Sequence, residues 1–367
     1  MKTLVVAAVM ALAAAPALAN EAPNSARVDV VFCIDRSGSM QQVIDTAKQK
    51  VWGIVNQIAK SKPVPVLRIG LIGYGSADIE FKFFPLSDDL DKVYESLMTF
   101  RTDMGGDEWV GAAAKKAADE MLWAQEKGAL KIIFMVGNET AAQGRPELLY
   151  TKTVPEIIRK DIVVNAIYCG NPNPEELRTW KEVASLADGQ FTTIDLSGGA
   201  ITIETPMDKD LIELNKKLNG TYVPFGREGE KGKDNQALQD KNSVANGGAP
   251  TLAARASAKA GVCYDNKGWD LVDACKQKEF KLESVKVEEL SKEMQAMTLE
   301  QRKAHVEKMQ KDREAVQKQV VESSKKRDEY IANEVKTRGL TQDKAFDEAV
   351  RKAIREQGGR KGFTYQD

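Results

Sequence analysis

Asp35, Ser37 and Ser39 put a carboxylate and two hydroxyls at spacing i, i+2, i+4 in the stretch Asp35-Arg36-Ser37-Gly38-Ser39-Met40. Oxygen-only donors of this kind suit a hard cation, Mg²⁺ first and Mn²⁺ or Ca²⁺ next. The same residue types also cap helices, where a Ser or Asp oxygen accepts from the free amides of the first turn. The hexapeptide alone supports both chemistries equally. Other chemistry is restricted. The chain has one histidine, His305, in a charged segment near the C-terminus. Neither a Ser-His-Asp or Cys-His site nor a His/Cys zinc site has a histidine to draw on in the earlier part of the chain. The pair Gly105-Gly106 matches no phosphate-binding loop.

The elements around the hexapeptide fix where these donors sit. Val28 to Ile34 is an apolar run that reads as a buried strand. Met40, Val43, Ile44, Ala47, Val51, Ile54, Val55 and Ile58 then follow helical spacing. The donors therefore lie where a strand ends and a helix begins, which is where open α/β sheets place their ligands. Pro65–Gly75, Ala129–Val136 and Ile162–Tyr168 read as further buried strands, with a short last one at Gln190–Ile194. Glu80–Phe84 alternates and follows a short gap, so it is expected to run antiparallel at the edge. Helices are expected after Ser87, over Trp109–Lys127, near Pro146–Lys160, after the Asn173-Pro174 cap, and over Pro206–Leu218. Trp52, Trp109, Trp123 and Trp180 fit helix faces turned to the core. Strands alternating with helices imply a doubly wound α/β fold: a mostly parallel sheet with one antiparallel edge strand, covered on both faces.

Composition bounds the remainder. With 367 residues the chain is long enough for about two domains. Lys plus Arg number 53 and Asp plus Glu 54, a net charge of −1, which steers nothing toward nucleic acid. Lys2, the apolar run Leu4–Leu12 and Ala17-Leu18-Ala19 read as a signal peptide over residues 1–19, cleaved after Ala19. The expected location is the periplasm or outside the cell, with no membrane span. Export permits disulfides. Cys263 and Cys275 flank a short loop and are the expected pair, with Cys33 and Cys169 as buried thiols. Residues 223–286, rich in Gly, charge and amides, read as a linker with a small Cys-containing segment and short helical pieces near Gln236–Val244 and Leu252–Lys259. Residues 287–357 form a charged helical region. Its main helix runs from Leu299, after the capping box Thr298-Leu299-Glu300-Gln301, to Thr337. Val306, Met309, Val316, Val320, Tyr330, Ile331 and Val335 mark an apolar stripe that Arg313, Ser323 and Arg327 interrupt. That favours packing on its own chain over a coiled coil. The oligomeric state is not legible.

Taken together, Asp35-x-Ser37-x-Ser39, the loop Gly105-Gly106-Asp107-Glu108 and the strand ending in Gly137-Asn138 resemble the metal-ion-dependent adhesion site of von Willebrand factor A domains, over residues 26–222. The resemblance implies one divalent cation held by three loops. Asp35, Ser37 and Ser39 match the first. Counting back from Gly111 puts Asp107 at the second-loop threonine, with Thr102 and Asp103 as competitors. Asn138 stands at the third-loop aspartate. Glu108 and Glu139 read as solvated charges. The resemblance further implies a non-enzymatic protein that binds a protein partner, through the partner's Asp or Glu side chain on the metal. A second carboxylate at Asp107 would weaken that capture. The alternative reading is a structural envelope or assembly protein with a degenerate or merely stabilising metal site and an associating C-terminal helix.

Overall fold

The computed structural model describes residues 26–76, 80–102, 105–194, 202–339 and 346–365. The signal-peptide reading of residues 1–19 falls outside them. In chain order the elements are β1 (Arg27–Asp35), α1 (Gln41–Ala59), β2 (Ser61–Lys62), β3 (Val66–Tyr74), β4 (Lys82–Ser87), α2 (Leu90–Met98), α3 (Val110–Glu120), β5 (Leu130–Gly137), α4 (Tyr150–Ile158), β6 (Val163–Cys169), α5 (Pro174–Ser185) and β7 (Phe191–Ile194). They continue with α6 (Met207–Asn219), α7 (Gly229–Ala260), α8 (Leu271–Ala274), α9 (Lys292–Gln295), α10 (Leu299–Thr337), α11 (Phe346–Arg360) and β8 (Thr364–Tyr365).

The main sheet has the order β4-β3-β1-β5-β6-β7. All neighbours are parallel except β3 and β4, so the antiparallel edge strand stands where the sequence places it. Its central strands are apolar on both faces, as a sheet covered by helices on either side requires. Successive side chains alternate between two cores. Val28, Val30, Phe32 and Ile34 of β1 join Leu130, Ile132, Phe134 and Val136 of β5 on the α1 side. Val31 and Cys33 join Ile133 and Met135 on the side of α3, α4 and α5. All four tryptophans assigned to helix faces are buried.

Within residues 223–286, the part read as a linker holds a long, packed helix, α7 over Gly229–Ala260. α7 runs along α1 and α2, and its two expected helical pieces are joined across a break at Gly247-Gly248, where Gly248 takes φ 66°. Polarity misled the sequence reading because the buried face of α7 carries charges with partners. Arg255 is fully buried, bonds Asp91 at 2.7 Å and Asp240 at 2.6 Å, and stacks on Trp52 at 4.6 Å. α10 behaves in the same way. It packs on α6, α7 and α8, and two of the residues that interrupt its stripe are its anchors. Arg313 bonds Asp270 and Asp273, and Arg327 bonds Asp208.

α11 then returns to the sheet. Phe346, Val350, Ala353 and Ile354 enter the α1-side core, and Gln357 forms a reciprocal amide pair with Asn165 of β6. β8 pairs with β2. The folded unit that contains the sheet therefore takes in residues 346–365. The Cys263–Cys275 bridge is not formed, and all four cysteines are free thiols. Cys263 packs into the α1-side core, with its Sγ 3.6 Å from the Pro65 carbonyl, whereas Cys275 lies against the separate cluster of Leu271, Val272 and Leu290. Among the described residues no helix is long and apolar enough to cross a membrane.

Candidate metal centre

Asp35 is the last residue of β1 and is fully buried. The backbone continues the ladder one step further, since the Arg36 amide donates to the Tyr74 carbonyl at 3.0 Å. The chain then turns outward through a short 3-10 turn at Gly38–Met40. This geometry does not fit a helix cap. Ser37 holds the N-cap position of the turn yet makes no side-chain cap bond, and the N-cap of α1 is Met40. The hydroxyls turn to one another instead. Asp35 accepts from the Ser37 amide at 2.7 Å and from its hydroxyl at 3.0 Å. Ser37 Oγ lies 3.0 Å from Ser39 Oγ, and Ser39 Oγ donates to Asn138 Oδ1 at 3.3 Å.

The third loop is fixed by its backbone. Tyr168 Oη lies 2.7 Å from the Asn138 carbonyl, and Trp180 Nε1 donates to the Glu139 carbonyl at 2.6 Å. Gly137 makes room for this arrangement, because a Cβ there would sit 2.6 Å from Tyr74 Oη and 3.0 Å from the Trp180 ring. With its carbonyls pinned, Asn138 has its side-chain oxygen left to face Ser39.

In the second loop the residue turned toward Asp35 is Glu108, not Asp107. Asp107 is exposed, whereas Glu108 is 1% exposed and its carboxylate is set beside Asp35 and Ser37. Counting back from Gly111 does not show which side chain faces inward, because the chain enters α3 abruptly. The Trp109 amide donates to the Gly75 carbonyl at 3.1 Å and turns Glu108 inward, leaving Asp107 on the solvent side. Of the two competitors, Thr102 donates its hydroxyl to Gln41 at 3.0 Å, and Asp103 lies outside the described residues. The available signal for Glu108 was its position directly before the buried run Trp109-Val110.

The electrostatics of the pair are unusual. As a carboxylate, Glu108 has no donor committed to either oxygen among the described residues; its near polar neighbours are Asp35 and Ser37. The Ser37 proton is spent on Asp35, and two carboxylates cannot bond one another without a proton. Burial, and then Asp35 beside it, push the Glu108 carboxyl up to about 9, and burial also raises Asp35. Glu139, exposed at the rim, adds further negative charge. Its carboxylate accepts from Gln143 Nε2 at 2.9 Å, while Gln143 Oε1 accepts from the Glu108 amide. Among the described residues no group of three or more His, Cys, Asp or Glu side chains forms a metal cluster. The convergence here is of two carboxylates, two hydroxyls and one amide oxygen at the C-terminal edge of the sheet.

Residues 29–199 match the family model described as von Willebrand factor type A domain. This chain carries a von Willebrand factor type A domain. No curated protein matches the sequence. Solved structures similar to the domain include BatB from Bacteroides thetaiotaomicron, at 14% identity over 46% of this chain and 90% of that one, with a TM-score of 0.37. The SpRpn10 VWA domain has 16% identity over 47% and 90%, with a TM-score of 0.37. Proximal thread matrix protein 1 from the mussel byssus, with a zinc-occupied MIDAS motif, has 16% identity over 47% and 43%, with a TM-score of 0.38.

Proposed function

We propose that this protein is an exported, non-enzymatic interaction module. In this reading it binds a protein partner at the C-terminal edge of its von Willebrand factor type A sheet, at a divalent-cation site. Asp35, Ser37, Ser39 and Asn138 would hold the ion as the sequence expects, with Glu108 in place of Asp107. The single observation that carries the reading is the pair Asp35 and Glu108. Two acidic groups 0% and 1% exposed are costly to keep ionised side by side unless a proton or a cation joins them, and Glu108, pushed up to about 9, holds a proton until a cation replaces it. A bound dication would be that cation. Oxygen-only donors favour Mg²⁺, then Mn²⁺ or Ca²⁺. Export rests on the leader-like residues 1–19. The non-enzymatic reading is supported by His305, the one histidine, lying on α10 and not at this edge.

Melting the protein in Mg²⁺ and in chelator, together with pull-downs from an envelope extract using wild type and Asp35→Ala, tests the reading. Both stability and capture are expected to depend on the metal. The buried ion pairs that fix α7 and α10 to the domain favour a second reading, a structural envelope protein in which the ion only stabilises. Metal-dependent melting without metal-dependent capture would select that one.

A further inference from the structure

We propose that Glu108 is a carboxylate built into the cation site where an acidic partner would otherwise add one, so that this edge takes uncharged oxygen donors (carbonyls, hydroxyls, amides) in preference to Asp or Glu side chains. The inference rests on the cation-dependent reading above and concerns what kind of partner that site accepts.

The argument is one of charge. A dication among Asp35, Ser37, Ser39 and Asn138 would retain one unit of positive charge, for which an incoming carboxylate is the natural complement. In this chain the second loop already supplies that charge from within. Glu108 lies against Asp35 and Ser37, is 1% exposed, and has neither carboxylate oxygen bonded elsewhere. It is also held in place. Its amide donates to Gln143, the Trp109 amide donates to the Gly75 carbonyl, and the Trp109 ring is buried with the Arg145 guanidinium 5.5 Å from its centre. Swinging the side chain out would leave a hole beside Asp35.

Glu139 sharpens the effect. It stands exposed at the rim, tied to Gln143 at 2.9 Å. A partner carboxylate would therefore meet a centre already neutralised by Asp35 and Glu108, with a third carboxylate beside it. Attraction is replaced by repulsion between like charges. An uncharged oxygen donor meets no such penalty and can approach past Ser39, which is exposed, and Asn138, which is half-buried.

The test uses the full chain, Mn²⁺ read by water-proton relaxation, and acetate as the carboxylate probe. Wild type is expected to bind Mn²⁺ and to keep the relaxation signal as acetate is added. Glu108→Gln, nearly isosteric, is expected to bind Mn²⁺ roughly tenfold more weakly and to bind acetate on the protein-held ion at least roughly tenfold more tightly. Glu108→Thr is expected to follow Glu108→Gln, and the exposed Asp107→Asn to match wild type on both readouts. Equal acetate affinity for the wild-type and Glu108→Gln ion complexes overturns the proposal and leaves the cation site standing. Absence of Mn²⁺ binding by wild type overturns both.

Discussion

Arg313 is the residue whose removal should be felt furthest from the cation edge. It sits midway along α10, 2% exposed, where a surface helix would carry an apolar residue. Its guanidinium bonds Asp270 at 2.7 Å, Asp273 at 3.0 Å and the Thr221 carbonyl at 2.8 Å, and it stacks on Tyr222 at 4.0 Å. Arg313→Ala leaves the fully buried Asp270 without its cation and Asp273 with only Lys276, at 2.8 Å. Breaking a buried pair by removing one partner costs about 3–5 kcal/mol, and the lost cation–π contact adds about 1 kcal/mol. The expected loss of roughly 4–6 kcal/mol is a large share of the ~5–15 kcal/mol by which domains are stable. Urea unfolding followed by tryptophan fluorescence reads it, since Trp269 is buried beside Tyr222. Combining Arg313→Met with Asp270→Asn and Asp273→Asn removes the orphaned charges and should recover most of the loss. A cost below about 1 kcal/mol for Arg313→Ala, the size of an exposed ion pair, would refute the view that this arginine anchors α10 to its own chain.

Asp240 should set the acid limit. Attraction to Lys259 and Arg255 outweighs burial and holds its carboxyl at about 2, below the usual 3.8. A depressed carboxyl contributes stability above its unfolded value that is lost as pH falls through the folded one. About 2 kcal/mol should therefore disappear between roughly pH 4 and pH 2, and an acid titration of Asp240→Asn should show a shallower decline over that window. Gly111→Ala would drive a Cβ to 2.2 Å from the Leu148 carbonyl. Overpacking of this kind costs about 1–3 kcal/mol, and because Gly111 sits at the start of α3, Mg²⁺ binding should weaken along with the melting temperature. Deleting residues 346–367 should expose the core around Phe32 and leave Asn165 without its amide partner. At about 1.5–3 kcal/mol for each of Phe346, Val350 and Ile354, the truncated chain should lose more than about 4 kcal/mol, visible as an early or absent thermal transition by circular dichroism.

The sheet was legible because its strands are nearly pure apolar runs and its period is unambiguous. The position of the antiparallel edge strand followed from one short gap. That the polar side chains of the first and third loops meet was legible as well, since each directly follows a buried strand that fixes its place. The second loop was not. Which of residues 107 and 108 faces inward depends on how the chain enters α3, where the Trp109 amide bonds the Gly75 carbonyl. The extension was misread for a related reason. Its buried faces carry Arg255, Lys259, Arg313 and Arg327, and in one dimension a paired buried charge looks the same as a solvated one. Only the partners, at Asp91, Asp208 and Asp270 on other elements and at Asp240 across the break in α7, show the difference. The disulfide expectation failed because short sequence spacing said nothing about Cys263 and Cys275 packing into separate cores.

Calorimetric titration of Mg²⁺ into wild type, Asp35→Asn, Glu108→Gln and Asp107→Asn tests the central claim most directly. The account predicts binding by wild type, none by Asp35→Asn, a loss of roughly tenfold or more for Glu108→Gln, and wild-type affinity for Asp107→Asn. No heat of binding to wild type, or a loss on Asp107→Asn with Glu108→Gln unaffected, would contradict it.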